Sequence, residues 1–127
     1  WLPDWKGNNR LDSLKNIVED GRLSLMFMVP GSNTVVRING EAIVTADNDV
    51  TGAFERDGKL PCTVTVITVS EVYFQCAKAL MRSGLWQAGD ASTKIPTAGE
   101  FLQEQAPEFA AASYDEGYLQ YAKERLW

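Results

Sequence analysis

The stretch RLSLMFMVPGSNTVVRINGEAIVTAD, residues 22–47, decides the fold, because it predicts two neighbouring strands joined by a turn. Arg22 to Val29 is almost continuously apolar, which indicates a buried strand, and PGSN at Pro30 to Asn33 is a turn signal. Thr34 to Asp47 then alternates apolar and polar residues with the period of a half-buried strand. Gly40 falls within this strand, so we expect a β-bulge or a close backbone approach there.

Turn and helix signals divide the next part of the chain. Asp49 to Glu55 fits a short helix, and the Asp57-Gly58 pair is typical of a turn. Pro61 to Val69 predicts the third strand. From Ser70 to Ser83 apolar residues recur at helical spacing and Gly84 follows as a terminator, so we predict a helix there.

The C-terminal third predicts two more helices. Gln87 to Ile95 is a polar linker, and TAGE at Thr97 to Glu100 is a capping box that starts a helix. Pro107 interrupts that helix. An aromatic stripe then predicts a terminal amphipathic helix that ends near Trp127, and we expect the stripe to pack within the subunit or against a partner. The stripe consists of Tyr114, Tyr118 and Tyr121.

Length, charge and composition restrict the class of protein. With 127 residues the chain fits a single domain, with a core at residues 1–86 and a linker and helices at residues 87–127 that pack on it. The net charge of −5 argues against a nucleic-acid partner, and no apolar window is long enough to span a bilayer. The sequence contains no histidine, which excludes Ser-His-Asp triads, HExxH zinc sites and histidine-ligated haem. Any catalysis therefore depends on other groups or on a cofactor.

The two cysteines, Cys62 and Cys76, form neither a CxxC pair nor a zinc-binding spacing, and we predict no metal site. Reduced thiols in a cytoplasmic protein are the simpler interpretation, and a disulfide between the two is the alternative.

The stretch GNNRLDSLKNI, Gly7 to Ile17, places an Asn-Asn turn and an arginine at the start of a predicted helix. Asn9 is the expected N-cap, and Gly21 follows the helix as a C′ residue. The apolar stripe of this helix consists of Leu11, Leu14, Ile17 and Val18.

Arg10 lies at the end of this helix where a cation opposes the helix dipole, at a cost of about 0.3–1 kcal/mol. A bound phosphate would reverse the sign of that interaction. Backbone N–H groups of the first turn, the Ser13 hydroxyl and the Arg10 guanidinium could together hold a phosphate. The alternative is an ordinary surface helix whose Arg10 extends into water.

A second anion signal is the pair Lys78 and Arg82, at positions i and i+4 on one face of the predicted helix. Two cations at this spacing repel each other unless an anion lies between them. The alternative is that both complement the dipole in the last turns of the helix.

Three segments, taken in order, resemble the FMN-binding proteins related to pyridoxamine 5′-phosphate oxidase. They are LPDWKGNNRLDSLKNI, RLSLMFMVPGSNTVVRINGEA and VYFQCAKALMRSGLW, and together they cover about Leu2 to Trp86. Each segment alone is weak support, and the specificity lies in their combination and order.

The resemblance implies a mainly β fold with helices (α+β), a split β-barrel that dimerises and binds FMN in a groove at the subunit interface. It also implies site residues in two groups. The first group, at the FMN phosphate, consists of Asn8, Asn9, Arg10 and Ser13. The second group, Lys78 or Arg82, would approach the flavin from the partner subunit. No catalytic side chain is assigned.

The chain departs from this family in three places. Proteins of the family carry further strands before the LPDW position, and this sequence begins at Trp1 without an initiator methionine, so we expect the barrel to lack its N-terminal strands. Val35 replaces a glutamine that contacts the flavin in the oxidase. The ending KERLW lacks the oxidase's arginine-leucine-x-proline close. We therefore do not expect pyridoxamine 5′-phosphate oxidase activity itself.

The departures leave an FMN-dependent oxidoreductase of unknown substrate as the leading function, in which the flavin carries out the redox chemistry. The first alternative is a flavin-binding or flavin-storing module without turnover. Two others are a related split barrel with a deazaflavin or haem, and a structural dimer that has lost its cofactor.

Overall fold

The fold consists of a curled antiparallel sheet with helices between and after its strands. The computed structural model describes residues 1–7 and 9–125, which form two compact units, Trp1–Gln87 and a second that begins at Ala88. The described part of the first unit contains four strands in the order β1-β4-β3-β2 and three helices. The strands are Leu2–Asp4 (β1), Arg22–Met28 (β2), Val35–Thr45 (β3) and Thr63–Gln75 (β4); the helices are Asp12–Asp20 (α1), Asn48–Gly52 (α2) and Lys78–Ser83 (α3). The predicted α+β class is confirmed.

The predicted hairpin is confirmed as β2 and β3, which pair antiparallel from Arg22↔Glu41 to Met28↔Val35. The predicted burial of its first strand is wrong, because β2 lies at the edge of the sheet and none of its residues is buried. The bulge expected at Gly40 is also confirmed, because the β3–β4 register shifts between Asn39 and Gly40 and leaves Ser70 of β4 as an extra residue. A Cβ atom on Gly40 would lie 2.3 Å from the carbonyl oxygen of Thr68. Only glycine permits the two strands to approach this closely.

The prediction of a helix from Ser70 to Ser83 is wrong over its first half, where β4 continues to Gln75. The bulge at Ser70 explains the error. Val69 pairs with Gly40 and Val72 pairs with Ile38, so two residues three apart lie on one face of the strand. This spacing imitates a helix, although the backbone is extended. The helix itself is α3, and it ends at Gly84, which has a left-handed φ of 61°.

Two smaller differences from the predictions concern the start of the chain. The sequence pattern does not predict strand β1, because three residues including Pro3 give little signal. Proline is tolerated there because β1 lies at the edge of the sheet. The N-cap of α1 is Leu11 and not Asn9, and Leu11 makes no side-chain capping hydrogen bond. The predicted end of α1 at Gly21 is confirmed by its φ of 78°.

One face of the sheet is predominantly apolar, because residues paired across strands project from the same face. Leu25, Ile38 and Val72 form one cross-strand row. At one end of this face, Leu14 and Ile17 of α1 line a shared cavity with Leu2, Leu23, Leu25 and Thr65 of the sheet. Elsewhere on this face five apolar side chains remain exposed, and we name them the open apolar face: Phe27, Val36, Val69, Val72 and Phe74, with exposures of 45%, 37%, 51%, 60% and 77%.

Few aliphatic side chains of the first unit are buried within the described residues. They are Val35, Ala42 and Val64, and Val64 has no exposed surface. Thr51 of α2 and Thr65 of β4 are also buried. Most of the sheet therefore gains little from burial within this chain alone.

The second unit contains a short 3₁₀ helix at Ser92–Lys94 and two α-helices, Ala98–Gln105 (α4) and Ala111–Lys123 (α5). The predicted capping box is confirmed, since Glu100 N donates to Thr97 Oγ1 at 3.1 Å and Thr97 N donates to Glu100 Oε2 at 2.7 Å. Pro107 falls between α4 and α5, as predicted.

The stripe of α5 shows local ring contacts, with the Tyr114 and Tyr118 centroids 5.7 Å apart. The predicted last residues of this helix, Leu126 and Trp127, lie outside the described residues. The predicted packing of residues 87–127 on the core stays a prediction. Over the described ranges, no helix has the length and apolar character needed to cross a membrane.

Substituting Gly40 by alanine should lower the free energy of unfolding by about 1–3 kcal/mol, because the new methyl group would meet the Thr68 carbonyl oxygen. Urea unfolding followed by circular dichroism would measure the change. The matched control is Gly52→Ala, since a Cβ at Gly52 has no neighbour within 4 Å. We expect that control to change stability by less than about 1 kcal/mol, in the stabilising direction. Equal effects of the two substitutions would contradict the close approach at Gly40.

Candidate functional site

The loop between β1 and α1 lies against the start of β4. Strand β1 pairs with β4 through Asp4↔Thr63, and Cys62 N donates to Asp4 O at 3.0 Å. Loop and strand together form a cavity of about 480 Å³, which we name the loop cavity. It is lined by Asp4, Trp5, Lys6, Gly7, Asn9, Arg10, Leu11, Cys62 and Thr63.

Two of the predicted phosphate ligands, Asn9 and Arg10, line this cavity. Asn9 has a φ of 59°, in the left-handed region that asparagine tolerates better than most residues, and it turns the chain towards α1. Asn8, a further predicted ligand, lies outside the described residues. The arrangement brings an arginine and the backbone of a turn to the same cavity, which is the chemistry of an anion site.

The charges of the loop cavity favour an anion. Its lining contains the cations Lys6 and Arg10 and the carboxylate of Asp4. Arg10 also has a carboxylate neighbour on α1, with 4.0 Å between Arg10 Nε and Asp12 Oδ2, and both side chains are largely exposed. An exposed pair at that distance contributes little, about 0–1 kcal/mol, so a ligand phosphate can replace Asp12 at small cost.

Thr63 supplies an orphaned polar group beside this cavity. Its Oγ1 is buried and has no hydrogen-bond partner among the described residues. A buried hydroxyl without a partner costs about 1–3 kcal/mol, and such groups occur preferentially where a ligand or water completes the hydrogen bonding. The sequence pattern predicted neither Lys6 nor Thr63 as a site residue. For Thr63 the reason is that the strand pairing that brings residue 63 to the loop is not encoded in the local pattern.

Ser13 is not brought to the loop cavity. It lines the separate cavity of about 400 Å³ between α1 and the sheet. The reason is that α1 begins at Asp12, so Ser13 is already within the helix and follows its turn. The structure therefore joins Asn9 and Arg10 and separates Ser13 from them.

Arg22, which also lines the cavity beside α1, is engaged by Asp20. Arg22 Nε donates to Asp20 Oδ1 at 2.6 Å and Nη2 donates to Asp20 Oδ2 at 2.5 Å. The hydrogen bonds from the guanidinium lower the pKa of Asp20 and raise the pKa of Arg22. This bidentate pair leaves Arg22 a poor candidate for binding a further anion.

Lys78 and Arg82 lie at the opposite end of the sheet from the loop cavity. They belong to α3, which follows β4 after Gln75, and both are exposed. Trp86 Nε1 donates to Ser32 O at 2.7 Å, which holds the segment after α3 against the β2–β3 turn. We name this region, where Met28, Val35 and Gln75 pair, the hairpin end of the sheet.

The two predicted groups of site residues are thus separated by the length of β4. Thr63 and Gln75 are its first and last residues, and twelve steps of about 3.3 Å give a strand path of roughly 40 Å. This path exceeds the length of an FMN molecule. Within one chain, the loop cavity and α3 lie at opposite ends of this strand.

Other kinds of site find no support among the described residues. No group of three or more histidine, cysteine, aspartate or glutamate side chains there could hold a metal ion. Cys62 and Cys76 are free and exposed, so the alternative of a disulfide between them is not observed.

Replacing Arg22 by glutamine should raise the pKa of Asp20 towards its ordinary value of 3.8, because the substitution removes the guanidinium that stabilises the carboxylate. Carboxyl-carbon NMR titration of both proteins would measure it. In the native protein the depressed pKa adds stability that is present above pH 3.8 and is lost as the pH falls through the lower folded value. An unchanged Asp20 titration in the variant would show that the pair is not formed in solution.

Comparisons with known proteins find no match: no family model, no curated protein and no solved structure matches this chain. The resemblance to FMN-binding proteins therefore stays a prediction from the quoted segments.

Proposed function

We propose that this chain is an FMN-binding flavoprotein, an FMN-dependent oxidoreductase of unknown substrate related to pyridoxamine 5′-phosphate oxidase, and that it acts as a homodimer. The observation that carries the proposal is the loop cavity, which is lined by Lys6, Arg10, a left-handed turn at Asn9 and Thr63. These are the groups that a phosphate monoester requires: positive charge, backbone donors and a hydroxyl.

The residues of the loop cavity fit the phosphate of FMN better than they fit a neutral ligand. The Arg10 guanidinium offers a planar fork for two phosphate oxygens, and Lys6 adds a second positive charge. Trp5 supplies apolar surface on the same wall. When bound, FMN would supply the electron or hydride transfer, and the protein would bind, orient and shield it.

Two features support a homodimer. Lys78 and Arg82 follow the end of β4 that is remote from the loop cavity, so we propose that they approach a flavin there from another copy. The open apolar face is the kind of contiguous apolar surface that a partner covers. We further propose that the curled sheet is part of a split β-barrel whose apolar side that contact closes.

A structural or flavin-storing dimer is the competing function. The observation that favours it is that no catalytic acid, base or nucleophile is assigned in the described lining of the loop cavity, although the lining contains Asp4 and Cys62. The two free, exposed thiols support a reducing, cytoplasmic setting for either function.

An ultraviolet–visible spectrum of the purified protein, before and after addition of FMN, tests the proposal. A flavin spectrum that bleaches on addition of a nicotinamide donor supports the oxidoreductase. A flavin spectrum that stays oxidised supports the storage module, and absence of binding supports the structural dimer.

Arg10→Ala should weaken FMN binding by roughly 10–100-fold, because it removes a charge-assisted hydrogen bond worth about 1.5–3 kcal/mol. Fluorescence titration with FMN would give the dissociation constants. Lys15→Ala is the matched control, since it removes one exposed positive charge from α1 outside the loop cavity. Asp12→Asn should tighten binding by removing the competing carboxylate. Equal affinities of the Arg10→Ala and native proteins would remove Arg10 from the site.

Mixing two defective variants tests whether one flavin is held by two copies. If Arg10 and Lys78 serve the same FMN from different subunits, a re-formed mixture of Arg10→Ala and Lys78→Ala dimers regains roughly a quarter of the sites, because half of the dimers are mixed and each has one intact site. FMN titration of the mixture and of each variant alone would measure this recovery. A mixture that binds no better than its components would contradict a shared site.

A further inference from the structure

A polar cluster centred on Arg37 lies on the sheet face opposite the open apolar face, near the hairpin end. Arg37 pairs across strands with Met26 of β2 and Tyr73 of β4. Its guanidinium is held from both sides, since Nη2 donates to Ser24 Oγ at 3.2 Å and Nη1 donates to Gln75 Oε1 at 3.3 Å. The cluster is therefore supported by three neighbouring strands, which gives Arg37 a fixed position.

The charge of Arg37 is not balanced within the described residues. Both of its side-chain partners are neutral, and its Nε is buried without a hydrogen-bond partner. By strand register, the carboxylate closest to Arg37 on this face belongs to Glu71, two residues from Tyr73. Glu71 accepts a hydrogen bond from Asn39 at 2.7 Å and not from Arg37. A half-buried guanidinium without a counter-ion is destabilised, and an oxyanion bound at its Nη atoms would balance the charge.

The hydrogen bonds that hold Arg37 are easily exchanged for stronger ones. Their lengths of 3.2 and 3.3 Å are at or beyond the long end for N–H···O hydrogen bonds. Charge-assisted bonds from a guanidinium to a carboxylate or phosphate are typically about 2.7–2.9 Å and roughly twice as strong. Each Nη atom keeps a second N–H for such a ligand.

The neighbours of Arg37 indicate a ligand with an apolar body. Met26 and Tyr73 stand on either side of it, and they are 53% and 42% exposed. A thioether and a phenol ring provide polarizable walls for an aromatic or aliphatic group. The surface thus combines one fixed cation with two half-exposed apolar side chains.

We propose that Arg37 is the centre of a second anion-binding site, which holds the phosphate or carboxylate group of a small molecule whose apolar part packs between Met26 and Tyr73. The site is distinct from the loop cavity, because Arg37 pairs with Tyr73, ten residues along β4 from Thr63. It does not depend on FMN binding.

Calorimetric titration of the full chain with phenyl phosphate, benzoate and inorganic phosphate tests this site. The native protein should bind phenyl phosphate or benzoate more tightly than inorganic phosphate, and the tighter of the two identifies the recognised group. Arg37→Gln should weaken that binding at least tenfold. Lys15→Gln, which removes an exposed positive charge from α1 outside the loop cavity, should leave it within about twofold.

Arg37→Lys keeps the test decisive if the glutamine variant does not fold. It preserves the charge and loses the planar fork, so we expect an intermediate loss of affinity. The NMR signal of the Arg37 Nε–H in the native protein should shift on addition of the tighter probe. Native affinity in either Arg37 variant, equal losses in the Lys15 and Arg37 variants, or no binding of any probe would overturn the proposal.

Discussion

The long antiparallel pairing of β3 with β4 is the interaction on which the rest of the structure depends. It runs from Val35↔Gln75 to Thr45↔Val64, and both outer strands are added to it. Thr63, the residue next to this ladder, pairs with β1 and lines the loop cavity. At the other end of the ladder Gln75 accepts a hydrogen bond from Arg37, and the chain continues into α3. The positions of all candidate ligands in the first unit therefore follow from one strand register.

The bulge in this pairing shows which features a sequence pattern can predict. The hairpin of β2 and β3 is predicted correctly because its signals are local: an apolar run, a PGSN turn and a period of two. The same local logic finds Gly40, since a glycine within an alternating strand usually marks a bulge or a close backbone approach. It fails at Ser70, where one extra residue converts the period of two into an apparent helical spacing. Only the partner strand reveals that β4 continues to Gln75.

In the candidate site, too, only the residues that are close together in the sequence could be predicted to meet. Arg10 and the turn at Asn9 are neighbours in sequence, so their meeting at one cavity could be anticipated. The N-cap could not be placed precisely, and its true position at Leu11 moves Ser13 to another cavity. Thr63 reaches the loop cavity through strand pairing across about sixty residues, and Arg37 gains its neutral partners Ser24 and Gln75 in the same manner. No pattern within a single segment contains these contacts.

The distribution of charge and apolar surface constrains how the chain can act. Cations accumulate at both ends of β4, with Lys6 and Arg10 at the loop cavity and Lys78, Arg82 and Arg37 towards the hairpin end. These two groups of cations lie at opposite ends of a strand of 13 residues, so we expect them to bind separate anions in a single chain. Meanwhile the open apolar face lies uncovered between them, on the side of the sheet that faces away from Arg37. A second copy that covers this face could bring one chain's hairpin end towards the other's loop cavity and would leave Arg37 on the opposite side, which is why we treat Arg37 as a separate site.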